Sequence, residues 1–493
     1  MIPKFRISLI LLLALGLRWI SLNQSLWLDE AIQIWAVTNY SWRDLLNSYF
    51  PGDFNPPLSY LITWISVKIF NDSEMILRLP SVILGVINVW LVYLFSKNFF
   101  SKNKTLSLNI NYSSLAALFL ATAPLHIYYS QEARPYILAA SLVTWSMYEL
   151  WSLMKNKRNN SWRYVLATSL MLYSHYMTWL LIPVHGFIFC QIYLKNKFKK
   201  ANFLTKKLKF FLISWLAIGI TIIFWMPTLF KQLRLSQAVS TNLPAWERLG
   251  RLTVKNLSLI PVKFLIGRIS FNNDFLYGLM LSPLLLLTAW LLLRTIKRFS
   301  KSAEIIFLWS WLIGPLLLGA LLSIKVAVFQ YFRFLFILPA FYLLLLVGLS
   351  NLSKYWQKVI IVLFLTVNFS SSSIYLFNSK FHREDWRSLV AFIHKKQTNP
   401  KVLILKPVSA PFWYYDKGRA VLIDYLEADS FFSENSLWLV KYAQPIFEPD
   451  NKTEDKLKQY GFQEVLEKHF RGVTVKYFVN PNGLKADSQL LAF

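Results

Sequence analysis

Lys195-Asn-Lys-Phe-Lys-Lys-Ala-Asn-Phe-Leu-Thr-Lys-Lys-Leu-Lys209 carries seven lysines and no acid, and it separates two long apolar runs. Five other turns have the same character: Lys4 with Arg6; Lys97, Lys102 and Lys104; Lys155, Lys157, Arg158 and Arg163; Arg294, Lys297, Arg298 and Lys301; and Lys354 with Lys358. Together the six turns hold 22 basic residues without one Asp or Glu, which is most of the formal net charge of +28. Basic residues flanking apolar spans stay on the cytoplasmic side, so all six turns are expected inside. The charge therefore serves orientation and not nucleic-acid binding, and 55% hydrophobic residues with a mean hydropathy of +0.40 is a membrane composition.

Crossing a bilayer takes about 20 apolar residues. Eleven spans are expected, near 6–22, 75–96, 112–127, 135–153, 163–178, 179–194, 209–230, 275–293, 303–324, 331–349 and 357–377. The stretch from Arg163 to Lys195 starts and ends in basic turns, so it crosses twice, bending near Ser174, His175 and Tyr176. The first span is expected to be retained, because Gly16-Leu-Arg-Trp19 offers no small-residue cleavage site. Arg18, near its outer end, reads as a snorkelling anchor. The outer face then receives 23–74, the turn at 127–134, the bend near 175, the segment 231–274, the turn at 324–330 and everything after about 378.

Beyond 378 the pattern changes. Phe381–Lys396 reads as an amphipathic helix, Val402–Leu405, Ala420–Ile423 and Val473–Val479 as strands, and Glu454–His469 as a second helix. The expected organisation is a polytopic α-helical transmembrane domain over 1–378 followed by a small extracytoplasmic α/β domain over 379–493. The single cysteine, Cys190, excludes a disulfide framework, a cysteine-based zinc site and a redox motif.

Polar residues that carry chemistry fall on the outer face. Directly after the first span stands Trp27-Leu-Asp29-Glu30; adjacent helical residues project about 100° apart, so at most one acid faces a given reacting atom. Taken alone the pair reads equally as a helix start, with Asp29 capping a helix to Val37 and Glu30 favoured by its dipole. Asp53-Phe-Asn55-Pro56-Pro57-Leu58 places prolines where a helix opens. His126-Ile-Tyr-Tyr-Ser-Gln131-Glu132-Ala-Arg134-Pro135-Tyr136 sets a carboxylate and a guanidinium in a short turn at the membrane edge, where charges are costly unless paired or facing a watery cavity; an internal pair of Glu132 with Arg134 or Arg78 is the structural alternative. His175 reaches the same level. The segment Lys231–Asp274, with Arg234, Arg248, Arg251, Lys255, Lys263 and Arg268, reads as a basic amphipathic helix in the interface, binding anionic headgroups or guiding an anionic lipid.

The order and spacing of these clusters resemble the C-type membrane glycosyltransferases, specifically bacterial glycosyltransferase family 39 with the protein O-mannosyltransferases, the lipid A aminoarabinose transferase and the core-sugar transferases of rhizobia. The likeness rests on Trp27-Leu-Asp29-Glu30, Asn55-Pro56-Pro57-Leu58, Arg78-Leu-Pro80-Ser81, Gln131-Glu132-Ala133-Arg134-Pro135-Tyr136 and Ser174-His175-Tyr176, with weaker echoes in Tyr331-Phe332-Arg333-Phe334 and Glu384-Asp385-Trp386-Arg387. It is good over residues 1 to about 240 and loose beyond. One departure is Asn55, where the family usually has histidine; Asn can hydrogen-bond but not exchange protons at neutral pH.

The resemblance implies a GT-C fold and an inverting transfer of a hexose or pentose. The sugar comes from a polyprenyl-phosphate donor and goes to an envelope glycolipid, polysaccharide or protein acceptor. The setting is the outer face of a bacterial inner membrane. It places the general base on Asp29, with Glu30 beside it in a catalytic or supporting part. Arg134, Arg333 and Lys325 are candidates for the lipid phosphate, and Asn55, Glu132, His175 and Tyr176 complete the substrate-binding set. Asp29, Glu30, Glu132 and His175 carry atoms suited to a divalent ion, but no spacing is diagnostic and no metal or other cofactor is assigned. A flippase for a lipid-linked sugar is the alternative; no internal repeat of the kind many transporters carry is evident.

Overall fold

The computed structural model describes residues 3–100, 111–155, 161–196, 201–242, 250–297, 302–350, 352–425 and 434–480. Lys102, Lys104, Lys157, Arg158, Lys197, Lys199, Lys200, Arg248, Arg298 and Lys301 lie outside the described residues. Helices occupy each of the eleven expected stretches, several of them broken. Among the described residues six are long and apolar enough to cross a membrane: Glu74–Phe100, Pro135–Met154, Asp274–Ile296, Ala303–Leu322, Tyr331–Leu349 and Lys354–Phe377. A seventh arises if the pair Leu208–Ile223 and Met226–Ala238, bent by 64°, is one span. The chain is a multi-pass helical membrane protein with a small C-terminal sheet.

The breaks have local causes. Tyr112–Thr122 and Pro124–Ser130 are two helices because Pro124 has no N–H to return to Leu120. In apolar surroundings the freed carbonyls need other donors. Arg18 supplies them: Nη1 donates to Ala121 O at 3.0 Å and to Ala14 O at 2.9 Å, Nη2 reaches Leu120 O at 3.4 Å, and Nε donates to Ser130 Oγ at 3.1 Å. Asn368 Nδ2 donates to Phe119 O and Ser372 Oγ to Thr122 O from the Lys354–Phe377 helix. The snorkelling reading of Arg18 is thus corrected, since the residue is fully buried. Its Nη2 also lies 2.6 Å from His126 Nδ1. A guanidinium only donates, so Nδ1 accepts and the ring proton sits on Nε2. Asn88, 3.1 Å from Nε2, must then present its amide oxygen there. Gly85 makes room for this cluster: a Cβ at that position would lie 2.3 Å from Ser130 Oγ and 2.9 Å from Arg18 Nε.

The C-terminal sheet has five strands in the order β2-β1-β3-β5-β4. These are β1 (Lys401–Leu403), β2 (Val421–Ile423), β3 (Ser436–Lys441), β4 (Gln463–Phe470) and β5 (Val473–Val479). β2, β1 and β3 run parallel; β3, β5 and β4 are antiparallel. Trp386–Lys396 packs Trp386, Leu389, Val390 and Ile393 onto the sheet. The expected helix over Glu454–His469 is corrected: it ends at Gln459, Gly461 turns the chain at φ +83°, and Gln463–Phe470 pairs as an edge strand with β5. Edge strands expose most side chains, which hides their alternation; the central β3, which the periodicity reading missed, is almost wholly buried. The interfacial-helix expectation for 231–274 is corrected in part, because Val254–Ile266 buries its second half among the membrane helices.

Replacing Arg18 by Leu leaves buried carbonyls and His126 without donors, and is expected to cost on the order of 3 kcal/mol. Thermal melting in detergent should show a clear loss against wild type, whereas Leu at the exposed Arg163 should change it little.

Candidate active site

The acid pair sits on the Leu28–Asn39 helix, capped by the backbone of Trp27. Asp29 is therefore not the cap but lies in the first turn with Glu30, where the dipole favours both. The two carboxylates diverge as their spacing requires. Glu30 is fully buried, whereas the Asp29 side chain is 29% exposed.

Glu30 is held by Arg78 in a two-pronged contact, Nε to Oε1 at 2.9 Å and Nη2 to Oε2 at 2.6 Å. The remaining Arg78 donors go to the carbonyls of Leu22, Gln24 and Ser25 at 2.8, 2.7 and 3.1 Å. Glu30 Oε1 also accepts the Ala133 N–H at 2.8 Å. Burial alone would push the Glu30 carboxyl up, but Arg78, with help from Arg383, holds it below its usual range. Glu30 thereby joins the segment after the first helix to the turn at 131–134, a holding part that leaves it no oxygen facing solvent.

That turn carries Arg134, whose Nη2 lies 3.4 Å from Asp29 Oδ2 and whose Nη1 donates to Asp29 O at 3.3 Å. Arg134 thus orients Asp29. Behind it is a cavity of about 20 Å³ lined by Gln33, Ser59, Thr63, Ser81 and Arg134 among others. Glu132 is fully buried and pairs with Arg383 of the C-terminal region, Nη2 to Oε2 at 3.3 Å. The Glu132 pairings with Arg134 or Arg78 considered from sequence are not formed; burial pushes its carboxyl up to about 7, with Arg383 opposing.

Two further guanidinium groups lie near these residues, Arg333 within electrostatic reach of Asp29 and Arg268 near Glu132. Among the described residues, the half-buried Arg333 side chain donates to Ala327 O at 3.3 Å and lies within electrostatic reach of Asp29, Arg134 and Tyr136. Arg268 stacks on Tyr128 at 4.8 Å and donates to its hydroxyl at 2.9 Å, yet is solvent-exposed, with Tyr129, Tyr331 and Glu132 close by. Among the described residues neither has a carboxylate within ion-pair distance. Tyr129, Tyr136 and Phe332 form an aromatic wall between them, with rings 5.1 to 5.9 Å apart.

The other candidates are spread around this centre. Asn55 donates from N and Nδ2 to Asp53 Oδ2 at 3.3 and 3.4 Å, closing its own turn. His175 Nδ1 accepts the Met177 N–H at 3.1 Å, and its ring packs 5.6 Å from Tyr136. The Tyr176 hydroxyl binds Gln232 and accepts Trp225 Nε1 at 2.8 Å. Lys325 is exposed beyond the Ala303–Leu322 helix. Among the described residues no three His, Cys, Asp or Glu side chains gather as a metal site. Sequence reading passed over Arg383, one place before the quoted Glu384-Asp385-Trp386-Arg387, and named Arg268 only as one of six basic residues in its segment.

The family of dolichyl-phosphate-mannose-protein mannosyltransferases matches residues 55–230, a stretch holding Arg78, Glu132, Arg134, His175 and Tyr176 but not Asp29. No curated protein matches the chain in sequence. Among solved structures it is similar to ArnT from Cupriavidus metallidurans in the apo state, with a TM-score of 0.57 and 12% identity over 95% of this chain and 97% of that one. ArnT bound to undecaprenyl phosphate gives 0.56 and 12% over 97% and 98%. The archaeal oligosaccharyltransferase AglB from Archaeoglobus fulgidus, in complex with an inhibitory peptide and a dolichol-phosphate, gives 0.54 and 12% over 97% and 74%. The chain has the fold of the C-type membrane glycosyltransferases along nearly its whole length, and within it residues 55–230 match the dolichyl-phosphate-mannose-protein mannosyltransferase family.

Proposed function

We propose that the chain is an inverting glycosyltransferase that moves a hexose or pentose from a polyprenyl-phosphate donor to an envelope glycolipid, polysaccharide or protein. The observation that carries this is one solvent-reached carboxylate, Asp29, with the Arg333 guanidinium within electrostatic reach of it and a second, exposed guanidinium, Arg268, near Glu132 of the adjoining turn. The undecaprenyl phosphate and dolichol-phosphate of the ArnT and AglB complexes support a lipid-phosphate donor here.

Asp29 takes the proton of an acceptor hydroxyl as that oxygen attacks the anomeric carbon from the face opposite the phosphate. The bond from that carbon to the phosphate oxygen breaks, and polyprenyl phosphate leaves. The charge that grows on the leaving phosphate is met by the guanidinium groups of Arg333 and Arg268. Arg134, a phosphate candidate by resemblance, instead orients the base, and Glu30 supports it from below.

The same reading takes the eleven helical stretches as eleven crossings of a bacterial inner membrane. The basic turns face the cytoplasm, and the site and a C-terminal domain over 379–493 face the periplasm or exterior. The alternation of basic turns supports this. Reporter fusions at Lys200 and Asp450 should report inside and outside respectively; an inside signal from the second would refute the crossing count.

Asp29→Asn keeps shape and hydrogen-bonding reach but cannot take the proton, so transfer in liposomes should fall by roughly 10² to 10⁴ with donor binding retained. Normal turnover would remove the base assignment. A wild-type protein that carries the lipid-linked sugar across the bilayer without cleaving it would put a flippase in place of the transferase.

For the phosphate, Arg333→Ala and Arg268→Ala should each raise the donor KM by roughly tenfold, with Lys restoring only part of a planar two-pronged contact. Unchanged KM in both would move the phosphate elsewhere.

A further inference from the structure

The C-terminal region reaches into the floor of the site, and this points to a part for it in catalysis. Resting on the reading of Asp29 as the base, we infer that Arg383 is a positioning residue. It acts through the turn at 131–134, so the C-terminal domain sets the geometry of the base.

Four buried charges alternate beneath the Leu28–Asn39 helix: Arg78, Glu30, Arg383 and Glu132. Arg383 Nε lies 3.8 Å from Glu30 Oε2 and Nη2 3.3 Å from Glu132 Oε2, with the guanidinium 4.5 Å over the Tyr128 ring. Arg383 is the cation in ion-pair contact with Glu132, whose other oxygen is buried without a partner. Glu132 immediately precedes Ala133, whose N–H binds Glu30, and Arg134, two places on, binds Asp29. A shift of Glu132 therefore moves both contacts that locate the base.

The backbone of Arg383 is itself fixed by the sheet. Arg471, in the β4–β5 turn, donates from Nε to Arg383 O at 2.5 Å and accepts the Asp385 N–H at 2.8 Å. The next residue is Gly472, at φ +76°, where a Cβ would lie 2.6 Å from Glu384 Cγ. A second tie comes from the far side of the acid-bearing helix: Leu28 is part of the same apolar core as Trp386, Leu389 and Val390, and the Leu26 N–H donates to Tyr415 Oη at 2.8 Å. The domain thus grips the helix from above through Leu28 and from below through Arg383.

A plain tether would lose stability on mutation without altering turnover; a positioning residue alters turnover in folded protein. The test uses the full chain in liposomes with a polyprenyl-phosphate sugar donor. Arg383→Gln should lower kcat roughly ten- to a hundredfold while donor KM stays within about threefold, and Arg383→Lys should recover part. Hydrogen exchange should rise at the amides of 131–136 in Arg383→Gln. Arg387→Gln, which cuts the 2.6 Å tie to Glu74 at the start of the Glu74–Phe100 helix, should change neither kcat nor that exchange. If Arg383→Gln does not fold, Arg383→Gln with Glu132→Gln removes one charge of each sign and should show the same loss of kcat. A folded variant of either kind with wild-type kcat and exchange overturns the inference. Asp29→Asn in the same series separates the two readings. An inactive Asp29→Asn beside a fully active Arg383→Gln sinks the positioning role alone, whereas an active Asp29→Asn sinks the base and leaves the exchange data to judge the array.

Discussion

Arg78 uses all five of its N–H groups, two on Glu30 and three on the carbonyls of Leu22, Gln24 and Ser25. The rest of the site is built on that contact. A buried ion pair is a poor source of net stability, because two desolvated charges must first be compensated, but it is severe toward any arrangement that leaves one partner alone. It holds the residues after the first helix to one path and the acid-bearing helix to one rotation. With Glu30 committed inward, the 100° step between neighbours turns Asp29 toward solvent.

Similar logic governs the interior of the bundle. Helix breaks at Pro124 and at His175 leave backbone groups that lipid cannot satisfy, and side chains from other helices serve them. Arg18, Asn368 and Ser372 converge on the first break; Thr178 Oγ1 and Trp179 Nε1 return to carbonyls of the helix before the second. Polar residues that would be costly as isolated groups thereby lock the helices at one register. The broken helices end at the level of the site, which lets the 131–134 turn and His175 meet there.

The site differs from this interior in what it leaves open. Glu30, Glu132, Arg78 and Arg383 offset one another, and Arg134 is given to Asp29. Arg268 and Arg333 have no carboxylate partner among the described residues, and each lies beside tyrosine rings, which leave its charge unneutralised. An array satisfied below and cationic above suits an anionic ligand with a reactive carbon between phosphate and base.

The membrane class, the position of each helical stretch and the level at which polar clusters meet were legible in the chain, because hydropathy and the distribution of basic turns are local, additive properties of sequence. Asp29 and Glu30 were legible as a diverging pair for the same reason, since helical geometry separates neighbours in any context. Tertiary structure alone decided which of the two faces solvent, that Arg134 meets Asp29, that Arg18 lies buried in a polar cluster, and that Arg383 arrives from more than 250 residues away to meet Glu132. Those outcomes depend on which helix ends come together, and no window of sequence contains both partners. The strand at Gln463–Phe470 escaped for a related reason: pairing with β5, not its own pattern, makes it a strand.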